Sequence, residues 1–185
     1  MSAAPNPSNL SNDLVSQSKR LILASTSKYR KELLGRLGLV FETISPEVDE
    51  APLPNETPEL MAIRLAQAKA LAVSLSHPSA YVIGSDQVVD LNGVAMGKPG
   101  NHTNAMVQLQ KLRGQTVKFH TAVCVAHAGS AKTVNAITEV KFRELDDATL
   151  EAYLIAETPY DCAGSAKSEG MGICLLEYVR SDDPT

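Results

Sequence analysis

Periodic apolar patterning begins at Arg20; before it, residues 1–18 are rich in Ser, Asn and Pro and predict a flexible tail. Leu21, Ile22, Leu23 and Ala24 form a continuous apolar run, the mark of a buried strand. Ser25, Thr26 and Ser27 follow as good helix caps, and residues 28–38 set Leu33, Leu34 and Leu37 on one helical face with Gly38 as the stop. Residues 40–45 predict a second strand, and 46–56 a proline-broken acidic loop. Thr57 and Pro58 start a helix that runs to about residue 75 and carries Arg64 and Lys69. Residues 81–84 predict a strand entering Ser85, Asp86 and Gln87, with Val88 and Val89 continuing it to a hairpin turn at Asn92 and Gly93.

Residues 103–113 predict a helix closed by Gly114. Residues 116–127 and 132–145 form a long antiparallel pair around Ala128, Gly129 and Ser130, with Val134, Ala136, Thr138, Val140 and Phe142 alternating in the second arm. Asp146 and Asp147 cap a helix through Ile155, and a Gly/Ser-rich loop then leads into a last strand. The order is βα, then ββ, which predicts an α/β fold with a mixed sheet, a single domain over residues 19–185 behind the tail. There is no internal repeat, no GxGxxG and no GxxxxGK[ST], so dinucleotide-binding and P-loop readings lose their main support.

Composition narrows the function class. At 185 residues the chain can bury one sizeable core. The net charge of −4 provides no basic surface, so duplex nucleic acid is not an expected partner, although a few placed cations can still bind a small polyanion. No stretch reaches the ~20 apolar residues that cross a bilayer, and the first 18 residues lack a secretory signal, so a cytoplasmic protein is expected. Cys124, Cys162 and Cys174 are too widely spaced for a disulfide or zinc framework and are expected to be buried free thiols. The four histidines form no HxxxH or HExxH pair, against a zinc hydrolase.

Five segments could carry chemistry, and each has an ordinary alternative. Ser25 to Arg30 join hydroxyls, a helix start and a guanidinium, an anion cradle or a plain N-cap with solvated cations. Glu47, Asp49 and Glu50 could hold a hard divalent cation or form a solvated acidic loop. Asp86, after an apolar strand, could bind a metal or accept a proton, or simply cap a turn. Lys98, fixed between Gly97 and Pro99, and Lys69 could aim point charges at phosphate or be ordinary surface lysines. Residues 163–170 could wrap a ligand with backbone donors, Lys167 and Glu169, or be a mobile surface loop. Together these supply cations for a triphosphate, carboxylates for a metal and one base, without an activated Ser or Cys. That combination suits attack by water on a phosphoanhydride.

These segments, LILASTSKYRKELL (21–34), PEVDE (46–50), RLAQAKA (64–70), IGSDQV (83–88), GKP (97–99) and CAGSAKSEG (162–170), resemble the Maf family in identity and order. The resemblance covers residues 20–184. It implies a fold like the inosine triphosphate pyrophosphatases, two lobes with a central cleft, and hydrolysis between the α- and β-phosphates of a small nucleotide with Mg²⁺ or Mn²⁺. Carried over by position, Asp86 matches the proton acceptor. Ser25, Arg30, Lys69, Lys98 and Lys167 match the positions around the phosphates. Glu47, with Asp86, matches the metal region, and Asp49 is a further acidic position there. The resemblance leaves room for a homodimer.

Three positions separate the family's branches. Tyr29, Gln87 and Glu169 resemble the branch that cleaves 7-methyl-GTP, whereas the dTTP/UTP branch typically has Arg, Thr and Gln. A methylated guanine is a cation, which favours an aromatic face and a carboxylate. The alternatives are a dTTP/UTP pyrophosphatase and a non-catalytic nucleotide-binding regulator of septum formation. Family members usually continue with an apolar stretch and a final helix where this sequence ends at Asp182, Asp183, Pro184 and Thr185. Lack of that element is expected to expose apolar surface and to affect stability, dimerisation or activity.

Overall fold

The computed structural model describes residues 20–182; the tail predicted over 1–18 and the last three residues lie outside the described part. Seven strands form one mixed sheet in the order β2-β1-β3-β5-β6-β7, with β4 paired to β3. β1 (Leu21–Ala24) lies parallel to β2 (Glu42–Ile44) and to β3 (Tyr81–Leu91). β3, β5 (Thr116–His127), β6 (Ser130–Phe142) and β7 (Leu176–Ser181) run antiparallel in succession. The hairpin to β4 (Val94–Met96) turns through Asn92 and Gly93, both at positive φ (54° and 83°), as the two-residue turn requires.

Helix α2 (Pro58–Ser74) covers one face. Its Ala62, Ala66 and Ala70 recur every fourth residue and pack on Val88, Ala122, Cys124 and Ala126. Small side chains bring the helix close: a Cβ on Gly84 would run into the backbone of Ala66 and Ala70. The other face carries α3 (His102–Leu112) and α4 (Asp147–Glu157), which bury Leu109, Leu112, Leu150 and Leu154 against Val89, Val117, Val140 and Phe142. Single-turn helices Ala163–Ser165 and Met171–Leu175 complete that layer. Thr57, Asn101 and Asp146 cap α2, α3 and α4, each accepting a backbone N–H.

Several sequence expectations need correction. Helix α1 is shorter than predicted (Lys28–Gly35) and buries none of its residues; Leu33 and Leu37 are 51% and 69% exposed. The neighbouring β2 has three residues and is the outermost strand on that side of the sheet among the described residues. Val40, expected in the strand, is outside it and exposed. In β6 the alternation buries only Val140 and Phe142, which join the cluster with Leu150 and Leu154 of α4; Val134 is exposed. Of the three thiols only Cys124 is buried, while Cys174 is exposed. No helix of the described residues is long and apolar enough to cross a membrane.

Candidate active site

The sheet is interrupted along one edge of β3. β1 pairs with residues 81–84 and β4 with 89–91, leaving 85–88 without a neighbour on that side. β1 ends beside this notch, with Ala24 opposite Gly84, and α1 begins after three intervening residues. Ser25, buried, accepts from the Ser27 N–H at 3.1 Å, and Ser27 in turn caps the helix at Arg30 N. Along β3 side chains alternate, so Asp86 shares the α2 face with Gly84 and Val88.

Asp86 is 8% exposed and meets two cations there. Lys69 lays its stem along α2 and puts Nζ 2.7 Å from Asp86 Oδ1, and Arg30 Nη2 lies 3.8 Å from the same oxygen. Burial lowers the Arg30 guanidinium from its ordinary value, opposed by the charges of Asp86 and Glu50. Lys69 Nζ is also 2.7 Å from Glu50 Oε1. Partial burial acts to raise the Glu50 carboxyl, but the Lys69 hydrogen bond and the charges of Lys69, Lys98 and Arg30 outweigh it and hold it below the usual range.

Two clamps shape the walls. Arg64 grips Glu56 with two nitrogens and donates to the Ala51 carbonyl at 3.1 Å, fixing the loop that carries Glu50. The turn bearing Lys98 is held from α3, where Gln108 donates to the Gly97 carbonyl and Asn104 to the Pro99 carbonyl, both at 3.0 Å. The predicted metal residue Glu47 is exposed, with no ion pair or hydrogen bond in the described residues, and Asp49 turns back to accept from Ala51 N. Of the three acidic side chains in PEVDE, Glu50 is the one that reaches Lys69. Nothing in their spacing distinguishes them, because an irregular loop has no periodicity to assign a face.

A second group of predicted residues gathers around Tyr29. Its hydroxyl lies 3.3 Å from Asp161 and its ring beneath the Lys28 and Lys167 ammonium groups, at 4.9 and 5.9 Å. Desolvation first, then Cys162 and Asp161, push the phenol above its ordinary value. Lys167 is bound to Glu157 at 2.7 Å rather than to Asp86. Glu169 is exposed, and its charge is felt by Lys167 and Cys162. Gln87, facing away from Asp86, donates to Thr121 Oγ1 at 2.9 Å. Most of the predicted residues thus fall into an Asp86 group or a Tyr29 group, linked through the consecutive residues Tyr29 and Arg30, while Asp49 and Gln87 bond elsewhere and Glu47 stands exposed.

No set of three or more His, Cys, Asp or Glu side chains among the described residues forms a metal cage. Asp86 and Glu50, each 2.7 Å from Lys69 Nζ, nevertheless bring two carboxylates to one place. Mg²⁺ usually takes one or two carboxylates and completes its shell with substrate phosphates and water. The donor set fits a cation that arrives with a polyphosphate.

The sequence is similar to proteins described as 7-methyl-GTP pyrophosphatase. One from Paraburkholderia xenovorans is 56% identical over 178 residues, covering 94% of this chain and 87% of that protein. One from Polaromonas sp. is 56% identical over 190 residues, covering all of this chain and 87% of its own length. Among solved structures, the Staphylococcus aureus Ham1 protein superposes with a TM-score of 0.47 and 18% identity, over 68% of this chain and 73% of that one. Residues 20–185, which include both groups of side chains, match the family described as Maf-like protein, and the chain belongs to the Maf family.

Proposed function

We propose that this protein is a cytoplasmic nucleoside triphosphate pyrophosphatase that cleaves 7-methyl-GTP between its α- and β-phosphates. The observation that carries the reading is Asp86, buried beside Lys69 and Arg30 at the open edge of β3. The relatives' names support the choice of nucleotide.

In this reading the triphosphate lies along the notch. Ser25, Arg30, Lys69 and Lys98 bind its oxygens, and their charges offset what develops on the leaving pyrophosphate. Asp86 accepts a proton from a water whose oxygen bonds to the α-phosphorus. The α–β bridging bond breaks, and its electron pair leaves with pyrophosphate. A divalent cation held by Asp86 and Glu50 would supply further neutralisation of the phosphates. Tyr29, with Asp161 beside it, offers a ring face to a cationic base, which would displace the Lys28 and Lys167 ammonium groups now over the ring, and Gln87 lines the opposite face of β3. Lys167 serves the Tyr29 side rather than the α-phosphate, because Glu157 holds it there.

Pyrophosphate release from 7-methyl-GTP, GTP, dTTP and UTP, with Mg²⁺ or Mn²⁺ and then with chelator, tests this. The expected result is metal-dependent release with 7-methyl-GTP preferred. Preference for pyrimidines would move the protein to the other branch, and nucleotide binding without release would make it a regulator.

A further inference from the structure

Glu157 stands in the last turn of α4, where a negative charge opposes the helix dipole. Helix stability therefore does not account for it. Its side chain is 12% exposed and both carboxylate oxygens are engaged by the loop that follows. Lys167 Nζ donates to Oε1 at 2.7 Å, and the Met171 N–H donates to Oε2 at 2.8 Å. Gly170 passes so close that an added Cβ would lie 2.7 and 2.9 Å from the two oxygens. One turn earlier on the same helix, the Tyr153 hydroxyl accepts from the Lys167 N–H at 3.1 Å. Gly172 closes the loop on itself, since a Cβ there would strike the Lys167 backbone. Residues 167–171 are thus held from one helix face at three points, while Lys167 Nζ reaches toward the Tyr29 ring.

We infer that Glu157 is a positioning residue: it touches no nucleotide, and by gripping Lys167 and Met171 it sets where the loop presents Lys167 and Glu169 to the base beside Tyr29. The inference rests on the pyrophosphatase reading for its kinetic consequence, but not for its structural one. Two charge-assisted hydrogen bonds from one carboxylate fix a loop's register more tightly than either alone. A misplacement of about 1 Å in such a loop costs selectivity.

The experiment uses the full chain with Glu157→Ala and the isosteric Glu157→Gln. Amide hydrogen exchange is read without nucleotide at Lys167 and Met171, with Leu150 and Leu154 of α4 as the internal reference. In the Ala variant, exchange at Met171 is expected to quicken about tenfold or more while the reference amides hold. The ratio of kcat/KM for 7-methyl-GTP over GTP is expected to fall about tenfold. The Gln variant can still accept from Met171 N but turns an NH₂ toward the Lys167 ammonium, so it keeps the Met171 protection and loses part of the selectivity. Unchanged exchange at Met171 in the Ala variant, or an unchanged selectivity ratio once the loop is loosened, overturns the inference. If the Ala variant does not fold, the Gln variant decides by its ratio, a wild-type value overturning the inference. A wild-type protein that cleaves no nucleotide refutes the pyrophosphatase reading instead, and exchange at Met171 still judges the hold of Glu157 on its loop.

Discussion

Lys69 and Asp86 form a buried ion pair, Nζ to Oδ1 2.7 Å, that ties helix α2 to strand β3 where the sheet loses its neighbour. Neither residue is well placed for a purely structural task, since two apolar side chains would pack there at less desolvation cost. The pair is instead a charge held ready at an open strand edge, with Glu50 and Arg30 as its outer partners.

Replacing one partner exposes this. Lys69→Met leaves Asp86 mostly buried and without its nearest cation. The variant is expected to lose about 3 kcal/mol of stability, read as a lower urea midpoint. A midpoint equal to wild type would mean that the pair contributes nothing in the nucleotide-free protein.

Gly84→Ala tests the close packing that aims Lys69. The added methyl meets the backbone of Ala66 and Ala70, which flexible side chains cannot relieve. The expected cost is about 1–3 kcal/mol, with kcat/KM falling as α2 is pushed off the sheet. Unchanged stability and turnover would contradict the packing.

Much of this architecture is legible in the sequence. Leu21 to Ala24, the Thr57 and Pro58 start of α2 and the Asn92 and Gly93 turn each carry a strong local signal, and each forms where the pattern sets it. The leucines of α1 do not end up buried, because periodicity reports that a helix has an apolar face and not whether anything lies against it. Asp86, Lys69 and Arg30 are recoverable because each lies inside a regular element, β3, α2 and α1, whose start the sequence marks. Glu50 is not separable from Glu47, since both lie in a loop whose path depends on Arg64, far along the chain. Glu157 leaves no trace, because the predicted helix stops at Ile155 and only the structure carries α4 on to Glu157.

The depressed Glu50 carboxyl fixes a sign. A carboxylate whose pKa is lower folded than unfolded adds stability above the ordinary range near ~4.3 and loses it as pH falls through the depressed value. Wild type should therefore exceed Glu50→Gln by up to about 1 kcal/mol at neutral pH, a small figure because Glu50 is more than half exposed. That gap should close below about pH 4. Denaturant midpoints of both proteins at several pH values check this, and a gap that widens on acidification would contradict it.

Tyr29→Ala removes the ring that lies beneath two ammonium groups. A cation–π contribution of about 1–2 kcal/mol predicts a roughly tenfold greater loss of kcat/KM for 7-methyl-GTP than for GTP. Equal losses on the two nucleotides would remove Tyr29 from base selection.

The most direct test of Asp86 as the proton acceptor is turnover of 7-methyl-GTP by Asp86→Asn beside wild type, at saturating nucleotide with divalent cation present. The amide keeps the shape of the side chain but takes up a proton far less readily than the carboxylate. In the variant kcat is expected to fall by about a hundredfold or more, on the order of what a positioned general base contributes, while the protein stays folded and still binds nucleotide. Pyrophosphate release at the wild-type rate would contradict it.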